Sequence, residues 1–258
     1  MLQLADTAKS TITDQAIQLL SDYAMLPARS AGYDFKARRY QREIDSIITD
    51  LISNEAHTAY MFRMMLNGLQ NDVDAVRDQY SKAARLSKSS QLLYNYSIAL
   101  FFAGDFEGAK SALLDAIKCY PGEVDNYFML ANYYMGSGDI LEAVSILMQG
   151  KKLNSSIIDG ALQKFERIAE FVQKDGIEAH ELKAYFLLQD SFLHKERLQS
   201  TQQYFGLNQD EASMWISNVI KTELPPEKIE ELNDEWIDTL LESNIPAHVH
   251  GIVVTSFI

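Results

Sequence analysis

Apolar residues recur at helical spacing along most of the chain. In the stretch from Thr13 to Leu26, Ala16, Ile17, Leu19, Leu20 and Tyr23 share a face, and Pro27 follows as a stop. From Phe35 to Ser53, Tyr40, Ile44, Ile47, Ile48 and Leu51 form one stripe. Ile158, Leu162, Phe165, Ile168, Ala169 and Val172 continue the pattern up to Asp175-Gly176, and Leu182, Tyr185, Phe186, Leu188, Phe192 and Leu193 repeat it. Beyond Thr201 the texture changes. Phe205-Gly206-Leu207 and then Ala212 and Trp215 read as two helices around a turn. Pro225-Pro226 opens a helix carrying Ile229, Leu232, Trp236 and Leu240. At the end, Ile252, Val253, Val254 and Thr255 are β-branched and read as a short strand or extended arm.

The middle of the chain repeats itself with a period of 34 residues. Leu93, Tyr96, Ser97 and Leu100 form a first helix, Gly104-Asp105 a turn, and Ala109, Leu113 and Ala116 a second helix that ends at Pro121. One period later stand Tyr127, Leu130, Ala131 and Tyr134, then Gly138-Asp139, then Ala143, Leu147 and Gly150. One period earlier the copy is weaker: Ala59, Phe62, Arg63 and Leu66, then Gln70, Asn71 and Ala75, with Gly68 arriving two residues early. Small residues at the crossing points let antiparallel helices sit close. Glycine suits a helix end that needs positive φ, and the aspartate after it can cap the next helix. Gly150 predicts close approach by the next segment of the chain.

These residues resemble the tetratricopeptide (TPR) repeat family, with two clear repeats and one weak one in residues 56–155. Leu93 stands where the family has a large aromatic, Ser97 and Ala131 where it has glycine, and Leu113 and Leu147 where it has phenylalanine. The resemblance implies an all-α solenoid of stacked hairpins. The flanks make a helical extension at 1–55 and a helical module at 156–258 that ends in a short extended tail. It also implies a concave groove lined by the first helix of each unit. The groove positions are His57, Tyr60, Met64 and Asn67, then Gln91, Tyr94, Ile98 and Phe101 with Phe102 beside them, then Asp125, Phe128, Asn132 and Met135. The partner-binding residues are taken as Tyr60, Met64, Gln91, Tyr94, Ile98, Phe101, Phe128, Asn132 and Met135. Asn132 fits the family's carboxylate clamp, but the clamp's basic residues are missing. An aromatic and methionine-rich groove suits an apolar or helical segment of another protein. The competing reading has the groove filled by the chain itself, through Ile17–Met25 or the tail Ile252–Ile258.

Charge narrows the partners. The 258 residues carry a net charge of −13, which disfavours nucleic acid. The basic run Lys36–Arg42 reads as a solvated helix face. The single cysteine, Cys119, excludes an internal disulfide and reads as a small buried hydrophobe. No signal peptide or membrane span is evident, so a cytoplasmic setting is expected. The stretch from Thr201 has a helix-turn-helix cadence with Gly206 in the turn, but Asp210 and Glu211 would face phosphate, so a plain helical hairpin is expected. His248 and His250 would share one side of a strand, as a metal pair requires, yet no third ligand can be named. No nucleophile elbow, phosphate loop, dinucleotide fingerprint or zinc-protease motif occurs.

The expectation is therefore a non-catalytic protein-binding module without cofactor or metal, an adaptor or chaperone-like molecule, with homo-oligomerisation left open. Its acidity, short array and apolar groove are similar to those of the small chaperones that hold hydrophobic bacterial secretion substrates, although this chain is longer and has an extra C-terminal module. The alternative is a transcriptional or signalling regulator with output through the C-terminal helices.

Overall fold

The computed structural model describes residues 11–198, 202–210 and 213–258. It is mostly helical with one small sheet, and it divides into two compact units, Met1–Asn126 and Tyr127–Ile258. The division falls between Asn126 and Tyr127, inside a helix.

The first unit holds α1 (Thr11–Ala24), α2 (Tyr33–Leu51), α3 (Ala56–Leu69), α4 (Val73–Leu86), α5 (Ser90–Phe102) and α6 (Phe106–Cys119). Helix α3 packs on α4, α5 on α6, and α3 on α5, while α1 and α2 pack on α3. The hairpin turns form as their chemistry demands. Gly104 takes φ +83°. Asp105 caps α6 by accepting from Gly108 N at 3.0 Å, and Asp72 caps α4 by accepting from Ala75 N at 2.9 Å. In the first turn Asn71 takes the left-handed conformation, φ +61°, that Gly104 takes in the second. Asparagine tolerates it better than any residue but glycine.

The weak copy and the clear one are offset by 33 residues, not 34. The buried residues of α3 from Ala59 to Asn67 are Ala59, Met61, Phe62, Met64, Met65, Leu66 and Asn67. Shifted by 33 they become Leu92, Tyr94, Asn95, Ser97, Ile98, Ala99 and Leu100, which are the buried residues of α5. Val76 and Ala83 of α4 map likewise onto Ala109 and Ala116 of α6. The missing residue is in the connection after α4, where Ser87–Ser89 does what Tyr120–Glu123 does after α6. Gly68 is therefore not a misplaced turn glycine. A Cβ there would lie 2.5 Å from the Ala99 carbonyl oxygen, so it is where α3 and α5 touch backbone to backbone.

Helix α7 (Val124–Gly136) contains the division. The second unit continues with α8 (Ile140–Gly150), α9 (Ser156–Lys174), α10 (Ala179–Glu196), β1 (Gln202–Gln209), β2 (Met214–Lys221), α11 (Pro226–Leu241), α12 (Ala247–Ile252) and β3 (Val253–Phe257). Gly138 has φ +78°, as its turn requires, and packs on the backbone of Leu182 and Lys183. Asp139 does not cap α8 with its side chain. It accepts instead from Ser137 Oγ at 3.0 Å and pairs with Lys183 Nζ at 3.0 Å. Gly150 makes room for the ring of Tyr127, which lies earlier in the chain, and not for the segment after it.

The C-terminal module is not all helix. β1 and β2 form an antiparallel hairpin, and β3 returns parallel to β2, giving the order β1-β2-β3. Parallel pairing needs a long crossover, and α11 with α12 supplies it. Phe205, Ile216, Asn218, Ile220, Val253, Thr255 and Phe257 are buried in alternation, so one face of the sheet meets the helices. Helix α10 runs through that layer. Tyr185 Oη donates to Thr255 Oγ1 at 3.0 Å. Asn218 Nδ2 and Thr255 Oγ1 both donate to Gln189 Oε1, at 2.6 and 2.8 Å. Trp236 of α11 meets Tyr185 and Phe192 edge to face, with ring centroids 5.7 and 5.4 Å apart.

The expectation of a helical hairpin from Thr201 is thereby corrected. Gly206 sits mid-strand, and the turn comes four residues later, where Asp210 N donates to Ser213 O and Asp210 Oδ1 accepts from Ser213 N. Glu211 and Ala212 lie outside the described residues. Trp215, read there as helix, fits a strand equally well, as do its neighbours Ile216 and Val219, being aromatic or β-branched. The tail prediction agrees with β3. His248 and His250, however, are on α12, so helical geometry turns them to different sides.

Candidate functional site

Helix α5 is the most apolar surface element of the first unit's hairpins. None of its thirteen residues, SQLLYNYSIALFF, is charged. Gln91, Tyr94, Ile98, Phe101 and Phe102 fall within about 100° of arc on it. The centre of that stripe is covered: Tyr94 and Ile98 are buried. Its margins are half-exposed: Gln91, Phe101 and Phe102. The phenol of Tyr94 reports the same desolvation, because burial, with Asp125 nearby, pushes its pKa up to about 12. Phe101 is fixed by Phe106 at its edge, 5.2 Å away at 71°. Gln91 Nε2 donates to Asn95 Oδ1 at 3.2 Å.

The remaining groove residues separate by burial. Met64 is fully buried in α3, and Tyr60 is half-buried. With the 33-residue offset, Tyr60 matches Leu93 and Met64 matches Ser97. The residues of α3 equivalent to Gln91, Tyr94 and Ile98 are Thr58, Met61 and Met65, and the two methionines are buried. Asn67 is buried and His57 half-buried, with its Nδ1 3.2 Å from Ala83 O. In the second unit Met135 is buried, Phe128 and Asn132 are half-buried, and Asn132 Nδ2 is taken up by the Phe128 carbonyl at 2.9 Å. A residue exposed by 8% or less contributes packing before it contributes contact with a partner. Met64, Tyr94, Ile98 and Met135 are therefore core residues in this conformation. The tail offered as groove filler is spent elsewhere, in β3.

Other candidates resolve plainly. Lys36, Arg38, Arg39 and Arg42 are exposed on α2, and Arg39 pairs with Glu43 at 2.7 Å, as a solvated face would. Cys119 is exposed, not buried, because it is the last residue of α6, where the chain leaves the helix. His248 Nε2 lies 3.2 Å from Glu181 Oε2. Among the described residues no three His, Cys, Asp or Glu side chains are grouped to hold a metal. An open hollow of about 620 Å3 in the second unit is lined by Arg167, Glu170, Lys174, Leu207 and His248 among others, a mixed charge set. No helix is long and apolar enough to cross a membrane, among the described residues.

Two features escaped sequence reading. One is the polar set of Tyr185, Gln189, Asn218 and Thr255, buried together although Gln189 and Thr255 are 66 residues apart. The other is the strand identity of residues 202–209 and 214–221, whose short alternation was masked by helix-compatible spacing. Comparison of the chain with protein-family models, curated proteins and solved structures finds no match to any of them.

Proposed function

We propose that the chain is a non-catalytic protein-binding scaffold, adaptor or chaperone-like, built on TPR-like hairpins. Its ligand is an apolar or amphipathic segment of a partner protein. The observation that carries this reading is the uncharged helix α5, which leaves Phe101, Phe102 and Gln91 partly open on a chain of net charge −13. Aromatic rings held half out of water are the usual anchors of a protein interface. Covering the open part of the two phenyl rings contributes on the order of 1 kcal/mol, before the costs of association. The buried centre of the stripe positions these rings and does not touch the partner.

The test is quantitative co-purification from the native host with wild-type chain, with Gln91→Lys/Phe102→Ala, and with a distant control, Leu241→Ala, at an exposed position of α11. Partners held by the α5 margins drop by roughly tenfold or more in the double variant, and the control retains them. If the same partners arrive in equal amounts with all three folded proteins, the scaffold does not bind through α5 and the reading fails.

A further inference from the structure

The two edges of the sheet are built differently. At β3 the outer edge is closed: Phe257 N donates to Asn233 Oδ1 at 2.9 Å, and Phe257 O accepts from Asn233 Nδ2 at 3.0 Å. At β1 nothing comparable occurs. The hairpin closes on the Asp210–Ser213 pair, and its register pairs Asn208 with Trp215, Gly206 with Ser217 and Tyr204 with Val219. Antiparallel ladders alternate, so the even-numbered residues of β1 bond to β2 and the odd-numbered ones point their N–H and C=O away from it. Those are Gln203, Phe205, Leu207 and Gln209. Among the described residues their backbone groups have no hydrogen-bond partner.

Proteins ordinarily guard such an edge with charge, proline or a bulge. The strand QQYFGLNQ has no charged residue and no proline, and its register with β2 runs unbroken over all eight residues. About Gly206 it is matched in part, glutamine with glutamine and phenylalanine with leucine. Gln203 answers Gln209, Phe205 answers Leu207, and Tyr204 answers Asn208.

We propose that β1 pairs with β1 of a second copy of this chain, antiparallel, with Gly206 on the two-fold axis. This goes beyond the scaffold reading and does not depend on it. The parity fits. All four outward residues of each copy then face outward residues of the other, Gln203 against Gln209 and Phe205 against Leu207. About eight backbone hydrogen bonds join the copies, two for each facing pair. Phe205 and Leu207 meet on the helix-covered side and Tyr204 and Asn208 on the open side. The three-stranded sheet becomes continuous across the dyad. A second copy is the occupant the sequence favours, because an isologous contact must be self-complementary and this strand is. Two chains of like net charge can approach here, since the strand itself is neutral. Lys164 and Arg167 of α9 line a hollow with Leu207, and added salt screens their repulsion across the dyad.

The experiment is sedimentation velocity of the full chain over a roughly hundredfold concentration range, with hydrogen exchange resolved by residue. Wild type shows a monomer–dimer equilibrium in the micromolar range, and the amides of Gln203, Phe205, Leu207 and Gln209 gain protection as dimer accumulates. The amides of Tyr204, Gly206 and Asn208 are protected at every concentration. Tyr204→Lys/Asn208→Lys sets lysine against lysine twice across the dyad and weakens association by about tenfold or more, whereas Tyr204→Lys/Asn208→Glu sets lysine against glutamate and restores it. If either variant fails to fold, the parity of amide protection in wild type still decides. A chain that stays monomeric throughout, a dimer that both variants leave unchanged, or protection gained equally at odd and even residues overturns the proposal.

Discussion

In the first unit each hairpin closes within about thirty residues of chain, and every turn carries its own instruction. In the second, the sheet closes only when Val253–Phe257 returns beside β2 after two intervening helices. The first unit repeats a burial pattern, so an error of one residue in the period leaves the fold intact and changes only which side chains align. The second has no repeat to fall back on. Its parallel strand is held by groups drawn from α10, β2, β3 and α11, so a single deletion there removes contacts to several elements at once.

The sharpest way to break this contrast is Trp236→Ala. The ring is 2% exposed and meets Tyr185 and Phe192 edge to face, so its loss costs about 3–5 kcal/mol. Hydrogen exchange shows α10 and β3 opening together. Next comes Gly68→Ala in the first unit. The added methyl would meet the Ala99 backbone at 2.5 Å, and separating α3 from α5 costs about 1–3 kcal/mol in urea unfolding. Gly160→Ala in α9 is its counterpart with nothing within 4 Å, and it gains about 0.5–1 kcal/mol from helix propensity.

Smaller effects separate the repeats themselves. Asp105→Ala and Asp72→Ala each lose a helix cap, about 1 kcal/mol. The first costs slightly more, because Asp105 also pairs with Arg77 at 2.8 Å, a partly exposed contact worth under about 1 kcal/mol. Thermal melts of both, alone and with Arg77→Ala, give the difference.

Two groups of the second unit have acid-range titrations moved by their surroundings. The Glu181 carboxyl is held below its ordinary 4.5, first by the Glu178 backbone N–H and then by His248. A depressed carboxyl stabilises the fold above its unfolded pKa and loses that contribution as pH falls through the folded value. Burial, with Arg197 nearby, lowers His194 below its ordinary 6.5, so the fold favours its neutral form and loses stability as pH falls below 6.5. Both changes run in the same direction. Glu181→Gln flattens the acid limb of the stability curve, and His194→Gln flattens the limb nearer neutrality.

Much of the α5 region was readable from the chain alone: the helix, its turn at Gly104, its cap at Asp105, and an apolar stripe through Gln91, Tyr94, Ile98 and Phe101. What could not be read was which part of the stripe stays open, because exposure depends on neighbours that no local pattern names. Tyr94 and Phe101 look equivalent in the chain, yet one is buried and the other is not. The same holds for Met64, whose partner in the next repeat is Ser97 once the shorter Ser87–Ser89 connection is known.

By itself the chain determined the long helices, their 3.6-residue periodicity, the left-handed turns and the short final strand, since these depend on residues within a few positions of each other. Only the tertiary structure decided that residues 202–209 and 214–221 are strands and not helices, that β3 pairs parallel with β2, and that Gln189, Asn218 and Thr255 share one buried set. The physical reason is that short apolar segments satisfy either periodicity. The choice is made by the hydrogen-bond partner across the sheet, and that partner lies far along the chain.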